Sequence, residues 1–274
     1  MSTQPPPAQG KNAFSRMLSC LRERRAPDSL LAFVERRQEQ YGPAYYRWIQ
    51  NRRLRAVQDT SSYRAVRDIC ATALAAGNAI RMDGIVYGPA HWEKTGVLNQ
   101  PRPYYNFLAG FIHSQNATRV VEVGTWYGGS ALAMQRGFDR EARDRVIVTI
   151  DSRQRNLDAF RGRTDIVPVE GDAADDRIVD VVAARVQPRI DLLFIDADHR
   201  YLPTKAVVTK YGNRLRPKWM ILDNIHCGWS MEKAWACIHT FYPRLAYDAG
   251  IDLGFQAPTG FGVVDCREIQ QYGL

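Results

Sequence analysis

Two short segments carry side chains that could do chemistry together. Phe194-Ile195-Asp196-Ala197-Asp198-His199 is an apolar run ending in acids and an imidazole, and Ile221-Leu222-Asp223-Asn224 is one ending in an acid–amide pair. If each run is a strand and the two lie side by side, Asp196, Asp223 and Asn224 bring three oxygen donors to one sheet edge. Hard divalent cations, Mg²⁺ most simply, favour such carboxylate and amide oxygens. His199 follows the first acid by three residues and His226 follows Asn224 by two. Either could accept a proton near neutral pH. The plainer alternative is that Asp196 closes a pocket and Asp223-Asn224 form a turn. His113 and His239 fall in helical patterns and read as packing or surface residues, whereas His91, beside Trp92, could line a substrate pocket.

A third segment, Val120-Val121-Glu122-Val123-Gly124-Thr125-Trp126-Tyr127-Gly128-Gly129-Ser130, reads as a buried strand, a glycine-rich turn and a helix start. Glycines at such a turn let backbone approach a ligand, and the helix N-terminus offers N–H groups to an anion. The spacing Gly124, Gly128, Gly129 does not make the GxGxxG of a dinucleotide fold, and a phosphate loop would need a Lys that is absent. Glu122 would repel a pyrophosphate but suits an amino group. S-adenosylmethionine carries an amino acid end, a ribose and an adenine, and no phosphate.

Certain elements must position these segments. Strands are predicted over 119–123, 146–150, 166–169, 190–195 and 218–222, with helices over 129–137, 173–185, 203–214 and 230–241. Short, nearly all-apolar strands alternating with helices imply a parallel sheet covered on both faces. The segments RLAYDAGIDLGF and TGFGVVDC break the alternation and read as two strands joined by a turn. The expected architecture is α/β, a mostly parallel seven-stranded sheet with an antiparallel C-terminal hairpin and an N-terminal helical extension. Residues 1–11 read as a disordered tail, 12–100 as helices and a connector forming a lid or dimerisation surface, and 101–274 as the ligand-binding domain.

Over residues 100–266 the sequence resembles the class I S-adenosylmethionine-dependent methyltransferases. Glu122, Gly124, Gly128 and Ser130 match their first motif, in which Tyr127 also lies. Asp151 ends VIVTID where that Rossmann-like fold places an acid for the ribose hydroxyls, with Ser152 beside it. Gly171, Asp172 and Ala173 match the segment flanking adenine. The resemblance implies that these residues, with Asp196, bind S-adenosylmethionine. IDADH and LDNI are further similar to segments of the metal-dependent catechol- and caffeoyl-type O-methyltransferases and of related bacterial natural-product enzymes. That implies Asp196, Asp223 and Asn224 as ligands of Mg²⁺ or another divalent cation. The catechol- and caffeoyl-type enzymes use Lys as general base where His199 stands, so His199 and His226 are rival bases here.

Composition narrows the function classes. The chain has 274 residues and a net charge of +8, and residues 1–80 carry thirteen Lys and Arg against six Asp and Glu. This basic region reads as a solvated helical face, or as a contact for nucleic acid, a carrier protein or a phosphorylated substrate. No apolar run suits a membrane span. Five dispersed cysteines without CxxC spacing fit a reducing cytoplasm. The favoured reading is an O-methyltransferase of a small-molecule hydroxyl in natural-product (antibiotic) biosynthesis, acting as a dimer. The competing readings are N- or C-methylation of a small or carrier-bound substrate, methylation of nucleic acid or protein, and a non-catalytic cofactor-binding partner. Asp196-Ala197-Asp198-His199 lacks the prolines that nucleic-acid amino-methylating enzymes carry after the fourth strand.

Overall fold

The computed structural model describes residues 57–85, 87–88, 102–187, 189–256 and 259–273. The N-terminal tail, the helices expected before residue 57, most of the connector and His91 lie outside them.

The described chain opens with α1 (Ser61–Asn78) and α2 (Pro103–Ser114). Thr60 caps α1 by accepting from the Tyr63 N–H, and Pro103 starts α2 where its missing N–H costs nothing. The two helices cross closely. A Cβ on Gly77 would lie 1.8 Å from the Asn106 carbonyl oxygen, and one on Gly110 would lie 1.9 Å from that of Ala73.

Then follow β1 (Arg119–Val123), α3 (Gly129–Gly137), β2 (Val146–Asp151), β3 (Ile166–Glu170), α4 (Asp176–Val186), β4 (Leu192–Ile195), α5 (Tyr201–Leu215) and β5 (Trp219–Asp223). The chain ends with α6 (Trp229–Phe241), β6 (Ala246–Asp248), the short α7 (Ala249–Asp252) and β7 (Phe261–Asp265). The seven strands run in the order β3-β2-β1-β4-β5-β7-β6. β1 pairs in parallel with β2 and β4, and β7 is antiparallel to β5 and β6. Strand order therefore reverses between β1 and β4, where open α/β sheets bind ligands.

Alternation within each strand builds two cores. Val120, Ile147, Leu192, Phe194 and Ile221 face the layer of α1, α2 and α3. Val121, Val148, Leu193, Ile195 and Met220 face that of α4, α5 and α6. Residues such as Tyr63, Val66 and Cys70 of α1 belong to the first core, and Tyr63 meets Tyr247 of β6 edge-on at 5.5 Å.

Two expectations shift. The helix expected from 173 begins at Asp176, because Asp172 and Asp175 accept the N–H groups of Ala174 and Arg177 and hold the preceding residues in a turn. The strand expected across RLAYDAGIDLGF shortens to Ala246–Asp248. There the Asp248 carboxylate accepts the Ile251 N–H and starts a helical turn instead. Among the described residues, no helix is long and apolar enough to cross a membrane.

Candidate active site

A cavity of about 610 Å³ opens beyond the carboxyl ends of β1, β2, β3 and β4. That volume is in the range of small-molecule sites. Gly124 sits at the reversal point with φ of 107°, and a Cβ there would lie 2.0 Å from the Asp196 carbonyl oxygen. The residue type thus follows from how closely the β1 and β4 ends approach. The turn closes through the Gly128 N–H to the Thr125 carbonyl, 2.8 Å. Gly128 has φ of 82°, and a Cβ there would lie 2.6 Å from the Phe160 ring.

Of the sequence-predicted cofactor residues, Gly124, Ser130, Asp151, Ser152, Gly171 and Asp172 line the cavity, as do Ala173 and Asp196. Glu122, Tyr127 and Gly128 are not among its lining residues. Glu122 is fully buried within the protein, where the Ser130 hydroxyl donates to Oε1 and the Thr149 hydroxyl to Oε2. Thr149 in turn shares a 2.6 Å bond with Thr125. Burial pushes the Glu122 carboxyl up to about 8, against the opposing pull of the two hydroxyls. In this arrangement Glu122 ties β1, β2 and α3 together from inside; it does not present a charge to the cavity. Asp151 accepts the N–H groups of Trp126 (2.9 Å) and Arg153 (3.1 Å). The first of these bonds secures Trp126 in the left-handed region, φ 49°.

The acidic cluster lies at the ends of the paired strands β4 and β5. Asp196 accepts from the Tyr104 hydroxyl at 3.1 Å, and Asp223 accepts from the Gln256 amide at 3.2 Å and the Asn224 amide at 2.8 Å. Burial raises both carboxyl pKa values; for Asp223 the negative charge of Asp196 adds to it, and for Asp196 the neighbouring His199 opposes it. Asn224 takes φ of 55°, a left-handed conformation that Asn tolerates better than most residues. His199 Nε2 lies 3.4 Å from the Asn224 amide nitrogen and 3.7 Å from Asp196 Oδ1, its side chain 35% exposed. The second acid of the segment, Asp198, pairs with Arg200 and also lines the cavity. Asp196 and His199 line the cavity; Asp223 and Asn224 are not among its lining residues.

Two carboxylates so close, Asp223 buried and Asp196 partly so, are costly unless a proton or a cation lies with them. Among the described residues, no three His, Cys, Asp or Glu side chains form a metal-holding group. The donor set here would be two Asp and the Asn224 amide oxygen, completed by water or acceptor oxygens. That chemistry suits a hard divalent cation.

His226 is set differently from His199. Its Nδ1 meets Glu232 at 2.8 Å and its Nε2 meets Asp248 at 2.6 Å, with the side chain only 7% exposed. Burial alone would lower its pKa, but the bonds to Asp248 and Glu232 outweigh that and raise it to about 9. A ring already protonated at neutral pH cannot serve there as a base. His226 instead joins the segment after β5 to α6 and β6.

Sequence reading missed Tyr87, Tyr104, Tyr105, Trp126 and Arg155, all of which line the cavity. Trp126 stood inside the quoted glycine segment, and Pro103 before the two tyrosines could have marked a helix start. Nothing in the spacing says that this helix reaches the sheet edge.

The model of a methyltransferase-domain family matches residues 121–225, the span that holds the glycine turn and the acidic cluster. Residues 121–225 thus carry a methyltransferase domain. Among solved structures it is similar to the O-methyltransferase TomG from Streptomyces achromogenes, involved in tomaymycin synthesis, in complex with SAM. The identity is 16%, the TM-score 0.50, and the match covers 71% of this chain and 89% of that one. It is also similar to the O-methyltransferase from Bacillus cereus in complex with SAH, at 18% identity and a TM-score of 0.47, covering 72% of this chain and 90% of that one. At these identities the likeness is one of fold. No curated protein matches the sequence.

Proposed function

We propose that this methyltransferase domain transfers a methyl group to a hydroxyl of a small molecule, with a divalent cation, most simply Mg²⁺, held by Asp196, Asp223 and Asn224. The observation that carries the reading is the close pair of carboxylates at the ends of β4 and β5, Asp223 buried and Asp196 partly exposed on the cavity, with no Lys or Arg ion-paired to either among the described residues. S-adenosylmethionine supplies an electrophilic methyl group on a sulfonium. The cation, when bound, supplies Lewis acidity that makes an acceptor hydroxyl easier to deprotonate.

The protein's own groups do the rest. Asp151, Ser152 and Asp172 offer polar contacts for a ribose at one end of the cavity. Tyr104 and Gln256 hold the two carboxylates in place through their hydrogen bonds. His199 Nε2 takes the acceptor's proton as the acceptor oxygen bonds to the methyl carbon and the carbon–sulfur bond breaks. Holding the two reactants in line contributes much of the rate. Two neighbouring ring oxygens would suit such a site, and a role in specialised natural-product metabolism fits a small acceptor of this kind.

The test is transfer of labelled methyl from S-adenosylmethionine to a panel of aromatic diols, before and after exhaustive chelation. Activity should vanish on chelation, return with Mg²⁺ and be lost in Asp223→Ala. Full activity through both treatments would overturn the cation role.

A further inference from the structure

Two acids bracket β4, and the protein treats them differently. Asp191, just before the strand, is ion-paired with Lys218 at 2.8 Å and accepts the N–H groups of Thr118 and Arg119. Asp196, just after it, accepts instead from a phenol, the Tyr104 hydroxyl, at 3.1 Å. Its neighbour Asp223 likewise accepts from an uncharged side chain far along the chain, the Gln256 amide, at 3.2 Å. Arg102 acts on both carboxylates through its charge, yet forms no ion pair with either; its guanidinium lies 4.3 Å over the Tyr87 ring.

Both uncharged donors are fixed by packing. Tyr104 is 2% exposed, and its ring stacks on Phe261 at 5.3 Å and meets Tyr105 edge-on at 4.9 Å. Phe261 stands opposite Asp223 in the β5–β7 pairing. Gln256 is 8% exposed. Its N–H donates to the Gly250 carbonyl at 3.1 Å, and its carbonyl accepts the Gly260 N–H at 2.8 Å. Each donor takes one oxygen: Tyr104 takes Oδ2 of Asp196 and Gln256 takes Oδ1 of Asp223. Asp196 Oδ1 is left near His199, 3.7 Å from Nε2.

The choice of donor has an electrostatic consequence. A lysine at either place, as beside Asp191, would cancel the charge of its carboxylate and weaken the pull on a cation. A neutral O–H or N–H sets the direction of the carboxylate and leaves its charge in place. Hydrogen bonds of this kind to ligating carboxylates orient them for a metal.

We propose, on the divalent-cation reading of the acid pair, that Tyr104 and Gln256 are positioning residues of the cation site, orienting the two carboxylates without neutralising them. Neither lies in the matched span of residues 121–225, so the site extends to α2 and to the segment before β7.

Calorimetric titrations of the full chain test this, with Mn²⁺ alone, a cation of the same oxygen preference as Mg²⁺, and with S-adenosylhomocysteine alone. Tyr104→Phe keeps the ring and removes only the O–H; Gln256→Leu removes the amide at similar size. Each should weaken Mn²⁺ by roughly ten- to a hundredfold and leave S-adenosylhomocysteine within about twofold. Circular dichroism should show both variants folded without metal. Unchanged Mn²⁺ affinity in either variant would overturn the proposal. So would S-adenosylhomocysteine weakened by the same factor as Mn²⁺, or a variant unfolded without metal, since either would mean a structural role. A wild-type chain that bound S-adenosylhomocysteine but no Mn²⁺ would overturn the cation reading and the proposal with it, an outcome seen before any substitution is made.

Discussion

Glu122 in β1 and Asp223 in β5 are both acids sealed inside the sheet, yet they do opposite things. Glu122 has a hydroxyl donor on each oxygen and holds three elements together. Asp223 accepts three N–H groups, from the Gln256 and Asn224 side-chain amides and the Asn224 backbone, and the negative charge of another carboxylate, Asp196, acts on it. Burial alone does not make an acid functional. What separates the two is the second carboxylate hydrogen-bonded beside Asp223, a pairing that is costly unless a proton or a cation lies with it.

The largest effect should come from the acceptor half. Asp223→Ala is expected to lower kcat/KM by roughly 10³-fold or more, as for loss of several kcal/mol of charge stabilisation, while S-adenosylhomocysteine binding stays near wild type. Equal loss of cofactor binding would erase the distinction between the halves. Next comes the point where the halves touch. Gly124→Ala combines a strained φ with a Cβ 2.0 Å from the Asp196 carbonyl oxygen. It should cost roughly 2–4 kcal/mol in chemical denaturation.

His199→Ala should reduce kcat by roughly 10²-fold with little change in melting temperature. His226→Ala should reverse that pattern, costing stability more than chemistry, because both ring nitrogens are bound to carboxylates. If His226→Ala lost kcat at unchanged stability, it would be restored as the base.

The smallest effect at acid pH belongs to Glu122→Gln. The Glu122 carboxyl is raised from 4.5 to about 8 in the folded chain. Folding therefore favours its protonated form, and that contribution is full below the unfolded value and fades as pH rises through about 8. The variant has no proton to lose. Its stability should lie within about 1 kcal/mol of wild type below about pH 5, gain on it as pH rises from there to about 8, and keep that gain above. Parallel pH profiles of stability would show that Glu122 stays ionised inside the protein.

Much of the fold was legible because it depends on local pattern. Runs such as VVEV, VIVTI and LLFI are apolar on both faces and could only be central strands. The C-terminal stretch was less legible, since Asp248 caps a helical turn inside what alternation alone reads as a strand. The site was legible to the extent that it sits at strand ends. Gly124, Asp151, Gly171 and Asp196 follow apolar runs directly and line the cavity. Glu122 belonged to the same motif, but which way it points depends on the pleat and on Ser130 and Thr149. Spacing also left His199 and His226 as rivals. Packing distinguishes them, because Glu232 of α6 and Asp248 of β6 close on the two ring nitrogens of His226.

The sequence by itself determined the strand–helix alternation, the glycine turn and the acids after the fourth and fifth strands, because periodicity and turn chemistry act over a few residues. Only the tertiary structure decided which buried acid lies beside a second carboxylate, which histidine is already bound, and that α2 brings two tyrosines to the cavity. Those outcomes depend on what the chain folds against each group, and such partners lie up to about ninety residues away, as with Tyr104 and Asp196.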